Sequence, residues 1–320
     1  MPDFQTWEPA VIDMMDPGAP IALTQKACRN FGFFRLKNHG VPNELMEKVF
    51  AQSRSFFSLS EKDKMSVLAD KNNRGYTPMH EEILEPANQT QGDTKEGYYI
   101  FREIEAGSEA AAKPLQGPNQ WPSDKLLPGW RETMLRYYET LNSLGIRLSR
   151  LLAEGLGLEV GFFESFFVDS LSALRLLHYS TQVSDPGKGV LGTGAHSDYG
   201  LLTLLATASQ SIRLGDDVPG LQVMLDGAWY DVLPQHGTFI CNLGDMLERW
   251  TNGYLQSTLH RVVNCLGQER YSIPFFFEPA FETEVICMPQ FCSEENPAKY
   301  PPTTSGQYLL DKYSQTHTGF

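Results

Sequence analysis

The chain has 320 residues and a formal net charge of −13 at pH 7. This acidity excludes general binding to nucleic-acid backbones and anionic lipid surfaces, because both would repel it. A hydrophobic content of 41%, with 12% aromatic residues, is enough for a large buried core, so we expect the chain to fold by itself and to bind a small molecule or another protein.

The N-terminal segment lacks the basic start and apolar run of a secretory signal, and no apolar run is long enough to span a bilayer. The five cysteines are scattered and include no Cys-x-x-Cys pair, which suits neither a disulfide framework nor a zinc knuckle. We therefore predict a cytoplasmic protein with reduced cysteines and with no nucleic-acid or membrane partner. The sequence indicates no particular oligomeric state.

The first part of the chain is predicted to be largely helical. Residues 23–30 have helical spacing, and a glycine followed by aromatic residues at 32–36 indicates that this helix gives way to a strand. Residues 42–57 form a second amphipathic segment that begins with proline. Ser60 with Asp63 is typical of the capping box of a further short helix.

A loop and a long helix follow. Residues 72–122 lose periodicity and gain Gly, Pro, Asn and Gln, which predicts a loop, with one short strand near 98–101, that could cover a site. Pro128 begins the clearest helix, which ends at Gly155 or Gly157 and has apolar residues along one side. We expect this helix to lie along one face of a sheet.

Beyond residue 170 the chain changes to short runs of β-branched, aromatic and aliphatic residues between turn residues. These runs predict strands near 174–179, 201–206, 220–224, 238–242, 258–263 and 271–278. Regularly spaced short strands are typical of a β-sandwich or barrel. We predict one compact unit in which an N-terminal helical region, 1–120, packs on a mainly β core, 121–320, that includes the long helix.

Three residues could hold a metal ion. On an extended strand His196 and Asp198 project to the same side and can bind one ion, although a polar pair at a strand end is a common chance occurrence. His260 lies in an otherwise apolar strand, where an unpaired imidazole is costly and a hydrogen-bonded one is usual. Two histidines and one carboxylate suit iron(II), because three ligands on one face leave positions for a co-substrate and oxygen. Zinc more often takes a closed tetrahedral set.

A candidate anion site follows His260. Arg270 and Ser272 project to one side of a strand, and a planar guanidinium beside a hydroxyl can bind a carboxylate through two hydrogen bonds. A surface arginine beside a turn is the commoner explanation of an isolated Arg-x-Ser. The apolar run at 273–277 favours a buried site here.

With these motifs the sequence resembles the isopenicillin N synthase-like family of 2-oxoglutarate and iron(II)-dependent dioxygenases, which includes many plant hormone, flavonoid and alkaloid oxidases. The resemblance covers nearly the whole chain. Its blocks are Gly32-Phe33-Phe34, Asn38-His39-Gly40-Val41-Pro42, Leu174-Arg175-Leu176-Leu177-His178-Tyr179, His196-Ser197-Asp198-Tyr199-Gly200, Leu202-Thr203-Leu204-Leu205, Gly220-Leu221-Gln222-Val223, Trp229, Asn242-Leu243-Gly244-Asp245, Asn252-Gly253, His260-Arg261-Val262 and Arg270-Tyr271-Ser272.

The resemblance implies a distorted double-stranded β-helix, or jelly roll, with Fe(II) bound by His196, Asp198 and His260. It implies a dioxygenase that consumes O2 and 2-oxoglutarate, releases succinate and CO2, and is supported by ascorbate.

The resemblance further implies that the distal carboxylate of 2-oxoglutarate meets Arg270 and Ser272 and that Tyr179 also contacts it. One departure concerns the block around Tyr179. Many relatives have an asparagine before two aromatic residues, whereas this chain has Leu177 and His178. His178 is either a packed core histidine or a residue that supports co-substrate binding.

Five aromatic residues flank the ligand strands or the covering loop and are candidates for the substrate pocket, although each taken alone is more often a core residue: Tyr99, Phe101, Tyr199, Phe275 and Phe277. As a group they favour an apolar or aromatic substrate.

Three functions remain open from the sequence. The first is hydroxylation, desaturation or demethylation of a small specialised metabolite or hormone with 2-oxoglutarate as co-substrate. The second is an oxidase of the same fold that does not use 2-oxoglutarate and binds a substrate carboxylate at Arg270 and Ser272. The third is a non-catalytic small-molecule binder, which the intact set of metal ligands disfavours.

Overall fold

The computed structural model describes residues 5–29, 31–209 and 219–316. No helix within these ranges is both long and apolar enough to cross a membrane. The helices are α1 (Ala19–Ile21, continued as a π-helix over Ala22–Cys28), α2 (Asn43–Phe57), α3 (Glu61–Met65), α4 (Trp130–Gly155), α5 (Asp245–Trp250) and α6 (Ser305–Thr316).

The strands form two main sheets and one short ribbon. They are β1 (Ala10–Asp13), β2 (Phe33–Lys37), β3 (Gly75–Thr77), β4 (Lys95–Phe101), β5 (Ala173–Tyr179), β6 (Thr193–His196), β7 (Leu202–Ser209), β8 (Leu221–Leu225), β9 (Ala228–Asp231), β10 (Phe239–Leu243), β11 (His260–Val262), β12 (Arg270–Phe277), β13 (Glu284–Val285) and β14 (Thr303–Thr304). The large sheet has the order β1-β2-β10-β7-β12-β5-β4-β3, the smaller sheet has the order β6-β11-β8-β9, and β13 pairs with β14. All but one of the pairings are antiparallel, the exception being β1 with β2.

The long helix α4 confirms the helix predicted from Pro128 to Gly155. Its buried side includes Trp130, Met134, Leu141 and Leu148, which recur at helical spacing and belong to the main hydrophobic core. The core lies between the helices and one face of the large sheet. The other face of that sheet therefore turns towards the smaller sheet.

The N-terminal region contains the predicted helices and also strands. Helices α2 and α3 match the predictions, and the Ser60 hydroxyl accepts a hydrogen bond from the backbone N–H of Asp63. The sequence analysis missed β1 and β3, and it found only the second half of β4. All seven residues of β4 are buried, so the strand lacks the alternation that marks a half-exposed strand. Strand β4 pairs along its whole length with β5, so the large sheet runs across residue 120.

Candidate active site

Three side chains converge where β6 meets β11. His196 ends β6 and His260 begins β11, and the two residues are direct partners across the antiparallel pair. Asp198 follows β6 by two residues, and its Oδ1 atom lies 3.7 Å from Nε2 of His196 and 3.6 Å from Nε2 of His260. One ligand atom from each residue lies within 4.8 Å of the other two. These positions suit three ligands to one ion.

Hydrogen bonds fix the carboxylate of Asp198. Its Oδ2 atom accepts bonds from the hydroxyl of Thr203 and the amide of Asn242, both at 2.6 Å. The Oδ1 atom is left to face the histidines. Burial opposes ionisation of Asp198, but the neighbouring histidines and these two bonds hold its pKa below the ordinary value. The group is therefore an anion ready to bind a metal.

The histidines are oriented in the same way. Nδ1 of His196 lies 2.8 Å from the carbonyl oxygen of Gly194, and Nδ1 of His260 lies 3.1 Å from that of Thr258. Donation from Nδ1–H to these carbonyls leaves the Nε2 lone pairs facing Asp198, which is the tautomer a metal ligand needs. Burial, with the neighbouring His260, lowers the pKa of His196 to about 4. The imidazole is therefore neutral near pH 7.

A cavity between the two sheets opens onto these ligands. Arg270 lies in its wall with Ser272, Thr193 and Tyr179, the direct partner of Arg270 on β5. Arg270 is buried and forms no salt bridge with any residue in the described ranges. A Cβ atom at Gly220 would lie 3.0 Å from Nε of Arg270, so the glycine leaves room for the guanidinium. A buried, unpaired guanidinium beside a hydroxyl fits a carboxylate ligand.

Comparison with known families agrees with this geometry. Residues 11–124 match the family model for the N-terminal part of the non-haem dioxygenases in morphine synthesis. Residues 171–279 match that of the 2OG-Fe(II) oxygenase superfamily. Azadirone synthase LFS of Melia azedarach is 37% identical over 314 residues, which cover 95% of this chain and 91% of that protein. The chain belongs to the 2OG-Fe(II) oxygenase superfamily.

Two further comparisons extend over almost the whole oxygenase. Homoarginine-6-hydroxylase 2-ODD-233 of Oryza sativa subsp. japonica is 34% identical and covers 95% of this chain and 92% of its own length. A crystal structure of a Neurospora crassa protein in complex with alpha-KG superposes with a TM-score of 0.82 and 30% identity, covering 98% of both chains. The chain is thus a 2-oxoglutarate and iron(II)-dependent oxidoreductase with the jelly-roll fold of its relatives. When bound, iron(II) would let O2 react with 2-oxoglutarate to generate the oxidant, and His196, Asp198 and His260 would hold the metal.

The oxygenase also has an ionic cluster that the sequence analysis missed. Arg175 donates from one guanidinium nitrogen to both carboxylate oxygens of Glu82, at 3.1 and 3.2 Å. Lys95 lies 2.7 Å from Glu82 and also pairs with Asp93, and all four residues are buried. Arg175 and Lys95 line the cavity. In the sequence, the local sign of this cluster is Arg175, a charged residue inside the apolar run 174–177.

A second pocket adjoins the iron-binding set. His196 and Asp198 lie in its wall, so a molecule bound there would sit beside the metal. The other lining residues are Glu82, Leu84, Tyr99, Arg175, Tyr199, Phe276, Glu278 and Tyr313. The structure thus places two of the predicted pocket aromatics, Tyr99 and Tyr199, in a pocket wall.

The other three predicted pocket aromatics lie elsewhere. Phe277 stacks on Phe167 with ring centroids 3.8 Å apart, and Phe275 packs edge-on against Tyr138 at 5.3 Å. Both belong to the main core, so their predicted pocket role is corrected. Phe101 stacks on Tyr99 and is likewise absent from the walls of both pockets.

The reason for this correction is the alternation of side chains along β12. Residues two apart on a strand share a face. Arg270 and Ser272 face the cavity, so Pro274 and Phe276 face it too. Phe275 and Phe277 must then face the helices.

His178 lies outside the oxygenase cavity. Its Nδ1 atom lies 2.7 Å from a carboxylate oxygen of Glu96, and its ring stacks on Tyr271 with centroids 4.8 Å apart. Leu177, its neighbour on β5, faces the cavity instead. Of the two interpretations of His178, this position favours the packed histidine.

Proposed function

We propose that this oxygenase uses O2 to hydroxylate a small organic substrate, with one oxygen atom entering the substrate and the other entering the succinate that is formed, together with CO2, from 2-oxoglutarate. One observation supports this proposal most directly. The iron-binding set borders both a cavity with a buried arginine that forms no salt bridge within the described ranges and a pocket with aromatic walls. Desaturation and demethylation begin with attack on the same kind of C–H bond and are alternative outcomes at this site.

We assign Arg270, Ser272 and Tyr179 to the distal carboxylate of 2-oxoglutarate. Arg270 and Ser272 lie on the cavity face of β12, and the guanidinium carbon of Arg270 lies 5.4 Å from the ring centroid of Tyr179. Burial lowers the pKa of Arg270, an effect that Tyr179 partly offsets. A carboxylate at this position would stabilise the charged guanidinium. The shape of the fork favours binding through two hydrogen bonds.

The substrate is assigned to the second pocket. Tyr99, Tyr199, Phe276 and Tyr313 offer apolar and aromatic surface, which supports a substrate with an apolar or planar body, such as a specialised metabolite or hormone. The relatives named above include an azadirone synthase and a homoarginine-6-hydroxylase, and a second structure of the Neurospora crassa protein contains thymine. Azadirone, homoarginine and thymine, the compounds in these names, belong to different chemical classes, but all three are small molecules.

The proposal is tested first by binding and then by turnover. Anaerobic titration of the Fe(II)-loaded protein with 2-oxoglutarate should produce the metal-to-ligand charge-transfer band in the visible spectrum. A library of small metabolites is then screened with O2 and ascorbate for succinate formation that depends on the added compound. A compound that is oxidised in step with succinate supports the proposal.

Other results would point to the alternative functions. Substrate oxidation without succinate would identify an oxidase that does not use 2-oxoglutarate. Iron binding without O2 consumption, with every compound of the library, would identify a non-catalytic binder.

A further inference from the structure

A carboxyl group with one oxygen that has no hydrogen-bond partner among the described residues lines the substrate pocket. Glu278 follows β12 directly, is only 4% exposed, and lines the pocket together with His196 and Asp198. Its Oε2 atom forms no hydrogen bond with the residues that the structure describes. A buried polar atom of this kind destabilises the protein unless a ligand satisfies it.

The charged groups that act on Glu278 are acidic. Burial has the largest effect, and with Asp198 and Asp245 it raises the pKa of Glu278 to about 8. Asp245 has its own partner in Lys312, at 3.0 Å, whereas Glu278 forms no salt bridge within the described ranges. The two positive charges of bound iron(II) would be offset by Asp198 and by the carboxylate of 2-oxoglutarate that is not assigned to Arg270, so loading the metal centre would not supply the missing cation.

Among the described residues, Arg175 is the basic residue of the pocket wall, and it and Lys95 of the adjoining cavity already have acidic partners. Arg175 binds both oxygens of Glu82, and Lys95 pairs with Glu82 and Asp93. Two positive and two negative side chains cancel within this cluster. Since Asp198 is assigned to iron, Glu278 is the acidic group left without a basic partner among the described residues of the pocket wall.

Four aromatic residues line the same pocket as this carboxyl group. Tyr99, Tyr199, Tyr313 and Phe276 share the pocket with Glu278. A carboxylate combined with aromatic faces is suited to an ammonium or guanidinium group, which gains a charge-assisted hydrogen bond and cation–π attraction together.

We infer that the substrate carries a cationic nitrogen and that Glu278 is the residue that selects it. The inference rests on the proposed function, because it takes the second pocket as the substrate site. Since the pocket wall also contains His196 and Asp198, the oxidised carbon would lie close to the cationic group. A deprotonated Glu278 would form an ion pair with that group.

The test uses pairs of compounds that are alike in shape but differ in charge. Butylguanidine is compared with butylurea, and benzylamine with benzyl alcohol, and a wider set of amines and guanidines follows. Each compound is titrated anaerobically into the protein loaded with Fe(II) and 2-oxoglutarate. Perturbation of the charge-transfer band gives the dissociation constant, and succinate release on admission of O2 gives the coupling.

The key variant is Glu278→Gln, which keeps the shape of the side chain and removes its charge. A matched control is Glu284→Gln, at an exposed position on β13. We expect a cationic compound to bind about ten- to a hundredfold more tightly than its neutral partner. That preference should fall to about onefold in Glu278→Gln and persist in Glu284→Gln, with the 2-oxoglutarate titration unchanged in both variants.

If the charge-transfer band of the complex with Fe(II) and 2-oxoglutarate still forms, three results would overturn the inference. They are equal or tighter binding of the neutral compounds, a cation preference that survives in Glu278→Gln, and no response to any amine or guanidine. Absence of the band in the wild-type protein would instead contradict the proposed function.

Discussion

At the scale of single residues, the two oxygens of Asp198 have different tasks. Oδ2 is held by Thr203 and Asn242, and Oδ1 faces the two histidines. This division fixes the plane of the carboxylate before any metal binds. Small displacements at such a site reduce activity strongly, because the reacting groups must be placed within a fraction of an ångström.

We therefore expect Asp198→Glu to lower substrate-dependent succinate formation by at least about a hundredfold. The added methylene displaces the carboxylate from its two hydrogen-bond donors and from the ligand position. His196→Ala and His260→Ala should be equally inactive, with circular dichroism spectra like that of the wild type. Near-normal turnover with bound iron in any of the three variants would show that the ligand assignment is wrong.

Arg270→Lys tests the carboxylate site. An ammonium group cannot reproduce two parallel hydrogen bonds, so the dissociation constant of 2-oxoglutarate should rise about ten- to a hundredfold. Iron affinity should change little, because Arg270 is not a ligand. Anaerobic titration of the charge-transfer band measures the first quantity, and a metal-binding assay measures the second.

A matched control for this prediction is Arg261→Lys on the adjacent sheet. Arg261 bonds to Gln222 and stacks on Trp229, outside both pockets. Its substitution should leave the titration unchanged. An equal effect in both variants, or none in Arg270→Lys, would remove the 2-oxoglutarate assignment and favour the oxidase that does not use this co-substrate.

At the scale of elements, strand β12 has the cavity on one face and the main hydrophobic core on the other. Its even-numbered residues from Arg270 to Phe276 face the cavity, and its odd-numbered residues pack under α4 and its neighbours. Helix α4 approaches this strand closely at Gly145, where a Cβ atom would lie 2.5 Å from the ring of Phe277. The position of the catalytic strand therefore depends on a small residue in the helix.

Gly145→Ala tests this dependence, since two effects on stability have opposite signs. Alanine normally stabilises a helix interior by about 0.5–1 kcal/mol relative to glycine. Here the methyl group would overlap a ring that is stacked on Phe167 and fully buried, and overpacking of this kind costs about 1–3 kcal/mol. We expect a net decrease in the free energy of unfolding, measured by chemical denaturation.

The control for this variant is Ser143→Ala on the exposed side of the same helix. It should change the free energy of unfolding by less than about 0.5 kcal/mol. Stabilisation by Gly145→Ala would contradict the close packing of α4 against β12.

At the scale of the whole molecule, the metal centre adds little to a large core. A continuous cluster of buried apolar residues extends along the chain from Ile12 to Tyr313. In contrast to a small zinc domain, a chain of this size does not depend on a metal to fold. Metal loading should therefore affect function much more than structure.

We expect the protein treated with a chelator to remain folded and to show a cooperative thermal transition without oxygenase activity. Adding Fe(II) and 2-oxoglutarate anaerobically, each at about 100 times its dissociation constant, should raise the melting temperature by roughly 8 °C, because ligand binding stabilises the native state by about 2.7 kcal/mol per ligand. Differential scanning calorimetry measures the shift. Loss of the far-ultraviolet circular dichroism signal on chelation would show that the metal is structural.

The sequence by itself determined those features that depend on local patterns. Helix α4 follows from apolar residues at helical spacing, and the short strands follow from β-branched runs between turns. His196 with Asp198 and Arg270 with Ser272 were predicted because residues two apart on a strand share a face, and His260 because it stands in an otherwise apolar strand. The alternation of side chains on β12 could also have been predicted from the sequence. It would have placed Phe276 in the pocket wall in place of Phe275 and Phe277.

Only the tertiary structure decided how the pocket is charged. Glu82 and Arg175 are 93 positions apart in sequence and meet because β4 and β5 pair beside the segment that contains Glu82. Glu278 appears in the sequence as an ordinary acid before a proline. Only the positions of the surrounding described residues show that its Oε2 atom has no hydrogen-bond partner among them. The cost of burying a charge depends on all of its neighbours in space, and these come from segments that no local pattern connects.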